Sequence, residues 1–90
     1  MKKDKTCYLK NKEALWRKVG SGAVIICTDE IYNLNNESAL FLWEAINGRI
    51  TLLGLVNRLR EEFDVEQKEA EVDVEEFLIT LGKLNLIKGV

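Results

Sequence analysis

The chain has 90 residues, 47% hydrophobic and 31% charged, which suits one folded domain and excludes both a second core and a disordered chain. Its 13 Lys and Arg against 15 Asp and Glu give a formal net charge of −2, which by itself favours neither nucleic acid nor membrane. The distribution is more informative, because residues 1–18 carry seven Lys or Arg against two acids, whereas residues 66–83 carry six acids against two Lys.

The first stretch, "MKKDKTCYLKNKEALW", is charged where a secretion signal needs roughly 7–15 apolar residues. The longest apolar runs, "AVIIC" and "ALFLW", fall far short of the ~20 residues of a membrane span. A cytoplasmic protein without a membrane contact is therefore expected. Cys7 and Cys27 stand far apart with no CxxC, and the chain has no His, so neither a metal nor any other cofactor is expected. Residues 1–14 read as a flexible basic segment ahead of a single domain over residues 15–90.

Three short β-branched or aromatic runs come next: "LWRKVG" (residues 15–20), "AVIIC" (residues 23–27) and "EIYNL" (Glu30–Leu34). The connections between them, "GSG" and "TDE", have hairpin length. The middle run has no polar position, which makes it the central strand of an antiparallel meander with Glu30–Leu34 on an edge. Gly20-Ser21-Gly22 is read as a turn, since no helix follows to make it a phosphate loop.

The remainder is helical. Asn35 and Asn36 are candidate caps for a helix to about Ile46, closed by Asn47-Gly48. Its "ALFLW" run is too apolar for a surface helix, so Trp43 should be buried. Thr51 caps a second helix in which Leu52, Leu55, Val56, Leu59 and Phe63 recur at helical spacing. Asp64 and Gln67 have the spacing of a capping box for the third. There "AEVDVE" alternates as a strand would, but Ala70, Val74, Phe77, Leu78 and Leu81 form an unbroken helical stripe. "LNLIKGV" could add a short extended segment at the end. The fold class is thus α+β and winged-helix-turn-helix-like, a three-stranded antiparallel meander followed by three helices.

DNA binding through the third helix would put Glu66, Glu69, Glu71, Asp73, Glu75 and Glu76 against phosphates, with only Lys68 and Lys83 to offset them. A catalytic reading lacks a His, and no Ser or Cys stands beside a base, so no enzyme is expected. Val72 and Ile79 fall almost opposite the core stripe. They mark either a second contact surface or a helix sandwiched between two packed layers.

"YNLN" (residues 32–35), "LW" (Leu42-Trp43), "NG" with Thr51 after it and "DVEEFLITLGKLNLI" (residues 73–87) occur in one order and spacing. This ordered set resembles the PqqD-like family, precursor-peptide recognition elements of ribosomally made, post-translationally modified peptide pathways. The resemblance implies a non-catalytic domain that binds a leader by strand addition and presents the peptide to a modifying enzyme. That enzyme would be a radical SAM maturase, a leader peptidase or a cyclase. Carried onto this chain, the peptide contacts are Glu30, Ile31, Tyr32, Asn33 and Leu34 of the third run, with Val72, Glu76, Ile79 and Lys83 of the third helix. Tyr32 and Leu34 should face the core, and Ile31, Val72 and Ile79 should serve as apolar anchors in the groove. The quinone-cofactor subgroup tends to have Pro-Glu before this strand, whereas this chain has Thr28-Asp29-Glu30, so other peptide pathways are at least as well supported. The alternatives are a winged-helix transcriptional regulator or adaptor that binds another protein, and a subunit that only forms a homodimer.

Overall fold

The computed structural model describes residues 6–90. In chain order the elements are β1 (Cys7–Lys10), β2 (Leu15–Val19), β3 (Gly22–Cys27), β4 (Glu30–Leu34), α1 (Glu37–Ala45), β5 (Ile50–Thr51), α2 (Leu52–Phe63), α3 (Gln67–Lys83) and β6 (Ile87–Gly89). They form an α+β fold with two antiparallel sheets, ordered β2-β3-β4 and β5-β1-β6.

The first sheet is the expected meander. Val19 pairs with Gly22 and Cys27 with Glu30, so each hairpin loop has two residues. Gly20 (φ 61°) and Thr28 (φ 58°) supply the left-handed backbone such tight loops use. Gly22 must be glycine, because a Cβ there would run into the Leu34 carbonyl. Alternation then sorts the side chains. Ala23, Ile25, Cys27 and Leu34 are buried beneath the helices, while Ile26 and Ile31 remain exposed on the other face.

Helix starts follow local chemistry. Asn36 Oδ1 accepts from the Ala39 N–H at 2.8 Å and Thr51 Oγ1 from the Gly54 N–H at 3.1 Å, each satisfying an otherwise unpaired donor. α1 ends one residue before the expected Asn47-Gly48 cap, on an extended Ile46 whose N–H bonds the Trp43 carbonyl. The capping box expected at Asp64 and Gln67 does not form. Asp64 is instead the left-handed C-cap of α2, and Glu66, the N-cap residue of α3, makes no side-chain capping bond. An N-cap needs extended backbone, which Asp64 gives up in order to stop α2. The core stripe of α3 packs as expected: Ala70, Val74, Leu78 and Leu81 are buried, and Phe77 is partly so.

The second sheet corrects the reading of residues 1–14 as a flexible segment. Residues 1–5 lie outside the described residues, but Cys7–Lys10 is the central strand between β5 and β6. Lys10 is the reason the charge count misled. Its ammonium donates to the Ile46 carbonyl at 2.7 Å and lies 5.2 Å and 5.9 Å from the Trp43 and Trp16 ring centroids, so the cation works inside the fold. Burial lowers the Lys10 pKa, and nearby Glu44 partly opposes that shift. Asn11 continues the anchoring, with its amide donating to the Asn85 carbonyl at 2.7 Å. Trp43 is fully buried between Trp16, packed edge-on at 6.0 Å, and the Lys10 ammonium.

Candidate functional site

β4 is an edge strand: β3 pairs along one side, and the other side has no strand partner among the described residues. Its outward backbone donors and acceptors therefore form a template for one more strand. Alternation turns half-buried Tyr32 and buried Leu34 toward the helices, whereas Ile31 and Asn33 stand exposed on the opposite face.

On the helical side of Tyr32 lies a groove of about 480 Å³. α1 contributes Ser38, Ala39 and Leu42, with Asn36 just before it. Leu59, Phe63 and Val65 come from α2 and the turn after it. α3 supplies Asp73, Glu76, Phe77 and Thr80. These four recur at i, i+3, i+4 and i+7, which aligns them along one helix face. Phe63 is braced by an edge-on contact with Phe41 at 5.5 Å. The result is an apolar floor with a wall carrying two carboxylates, for which no ion pair is formed among the described residues. Such a groove can take apolar side chains from an extended peptide, with a cation lying along its α3 wall.

Among the residues expected from sequence, Tyr32 and Glu76 meet in this groove. Glu30 begins β4 in register with Cys27, and Leu34 is 4% exposed and belongs to the core. Ile31, Val72 and Ile79 do not line the groove. Ile31 lies on the far face of the sheet, and Val72 and Ile79 are 53% and 55% exposed on the outer side of α3. That exposure also removes the sandwiched-helix reading. Lys83, exposed in the last turn of α3, does not line the groove either. The reason is rotational: Val72 and Ile79 stand opposite the core, whereas the groove opens on the flank of the core stripe. Asp73, Phe77, Thr80 and Phe63 line the groove without having been expected from sequence, because a flank mixes polar and apolar positions and gives no contrast in a periodic pattern.

Cys7 is half-buried and Cys27 buried, both as free thiols, with the Asn11 amide 3.6 Å from Cys27 Sγ. Among the described residues, no group of three His, Cys, Asp or Glu is placed to hold a metal ion, and no helix is long and apolar enough to cross a membrane.

Two comparisons with known proteins find matches. The family profile described as Coenzyme PQQ synthesis protein D (PqqD) matches residues 22–87, which include the meander from β3 onward, all three helices and the whole groove. Among solved structures, TbiB1 in complex with the TbiA(beta) leader peptide aligns over 89% of this chain and 94% of its own, with a TM-score of 0.79. Sequence identity is 16%, so the likeness is one of fold. No curated protein matches the chain.

Proposed function

The chain belongs to the PqqD family, and from that membership we propose that it is a non-catalytic recognition protein that binds a precursor peptide's leader and presents it to a modifying enzyme. The observation that carries this reading is the open edge of β4 running beside the groove walled by α3. The leader peptide bound by the fold relative TbiB1 supports it.

In the proposed mode the leader adds as a strand to β4. Backbone bonds to a five-residue edge contribute about 1 kcal/mol each, and ordering a flexible peptide consumes about 2–5 kcal/mol or more. Backbone pairing alone therefore gives little net affinity. Side chains entering the groove between Tyr32, Phe63 and Phe77 supply the remainder, and alternate leader residues give specificity. Asp73 and Glu76 favour a leader with Lys or Arg at the position facing α3. The modifying enzyme, whether a radical SAM maturase, a leader peptidase or a cyclase, then receives a peptide held at one end.

Calorimetric titration with leader peptides encoded beside the protein's own gene tests this. Thr80→Trp fills the groove from an exposed position and should weaken binding about 10- to 100-fold with an unchanged melting temperature. A proline in the pairing segment of the leader removes a backbone donor and should weaken binding without altering the protein. Ile79→Glu, one residue along the helix but off the groove, should bind as the parent does. Full-strength binding by Thr80→Trp would move the leader off the groove. Full-strength binding of the proline leader would remove β4 as its partner.

A further inference from the structure

The face of the β2-β3-β4 sheet turned away from the helices is unaccounted for by leader binding. Leu15, Ile26 and Ile31 are direct cross-strand neighbours, one on each strand. They are 70%, 45% and 66% exposed and form an apolar row across the sheet. The next row on this face is Arg17, Val24 and Asn33, and Val19 extends β2 beyond it at 55% exposure. A shallow depression of about 290 Å³ joins Leu15, Arg17, Val19, Val24 and Ile26. Isolated apolar side chains are ordinary on a surface, but a contiguous row spanning every strand marks a contact surface.

The pattern identifies the occupant. Consider a second copy packed face to face about a two-fold axis parallel to the strands. Such an axis exchanges the edge strands and keeps each row in register, so Leu15 lies over Ile31 of the other copy, and Ile26 and Val24 meet their own counterparts. Arg17 meets Asn33, whose side-chain carbonyl accepts from the guanidinium, and this occurs twice by symmetry. Arg17 is the only charge in the two rows, so no like charges are opposed. A two-fold perpendicular to the strands and centred on the second row would instead bring Arg17 onto Arg17. Aligned strand directions also match the usual packing of twisted sheets. We infer that this sheet face is a self-complementary docking surface for a second copy of the chain, which leaves the β4 edge and the groove open.

The test is sedimentation equilibrium of the full chain over a wide concentration range. A reversible monomer–dimer equilibrium is expected. Ile26→Lys, which opposes two cations on the axis, should weaken association by at least about tenfold with little change in melting temperature. A chain that stays monomeric throughout, or a dimer that survives Ile26→Lys, would overturn the inference and leave the face to a different partner. Should Ile26→Lys fail to fold, cysteine cross-linking in a Cys7→Ser background decides the matter. Val24→Cys, on the axis, should form a covalent dimer on mild oxidation, and Asn33→Cys, which faces Arg17, should not. Cross-linking through Asn33→Cys, or none through Val24→Cys, would refute this arrangement.

Discussion

The two sheets are built from equal numbers of strands by opposite means. β2, β3 and β4 follow one another through two-residue loops, and each pairs with its neighbour in sequence. β1, β5 and β6 come from the beginning, middle and end of the described chain and pair across the helices that lie between them in sequence. The first sheet is a local structure, specified by alternation and turn chemistry within a short window. The second pairs segments from both sides of the helices, at the loop-closure cost such contacts carry. It should therefore open more readily than the first.

Trp43 stands where the two sheets meet, touching Trp16 of β2 and lying under Lys10 of β1. Trp43→Ala should cost about 3–5 kcal/mol, a large share of the stability of a domain this size, and both sheets should loosen together in amide exchange. A variant that loses protection in one sheet alone would mean that Trp43 does not couple them.

Lys10 separates the sheets more selectively. Lys10→Met keeps the apolar stem but removes the ammonium bond to Ile46 and its contact with two indole rings. A loss of about 1–2 kcal/mol is expected near neutral pH. Faster exchange should be confined to β1 and β6, with β2–β4 unchanged. The pH dependence has a definite sign. Because burial lowers the folded-state pKa of Lys10, the unfolded chain holds this proton more tightly. Folding stability attributable to the group therefore rises with pH. Relative to Lys10→Met, the parent should gain melting temperature as pH climbs toward the ordinary lysine value of 10.5. A flat difference across that range would show that burial does not disfavour the charge.

The smallest effect sharpens the local side of the comparison. Thr28 is a β-branched residue at φ 58° in the loop leading to β4, a conformation that asparagine tolerates far better. Thr28→Asn should stabilise the protein by about 0.5–1 kcal/mol, readable as a higher urea midpoint with an unchanged slope. No gain would mean that the strain is relieved elsewhere in the hairpin. The same backbone explains why a proline has no place at that residue, since its ring fixes φ near −65°.

Legibility followed the same division. Alternation disclosed β2–β4, a continuous apolar stripe disclosed α3, and Asn36 and Thr51 announced their helices. Lys10 concealed β1, because a lysine reads as a solvated charge until the tryptophans beneath it are assembled. The β5 strand has two residues and leaves almost no pattern. Asp64 satisfied a capping motif on paper while its backbone ended the preceding helix. At the candidate site, the edge strand was visible and Tyr32 and Glu76 converge on the groove. The expected anchors Val72 and Ile79 lie outside the groove, on the outer side of α3, because opposition to the core is easy to see in a helical repeat and adjacency to it is not.

The antiparallel pairing of β1 with β6 also fixes where the chain enters and leaves. Cys7 and Val90 exchange backbone hydrogen bonds at 3.2 Å and 2.8 Å, so residues 7 and 90 sit side by side. Cys7 lies in β1 and Val90 directly follows β6, both strands of the sheet that does not contain β4. Residues 7–90 thus have the geometry of a cassette. A larger protein could carry the unit within a surface loop, with two short linkers departing from one spot and the β4 edge left clear.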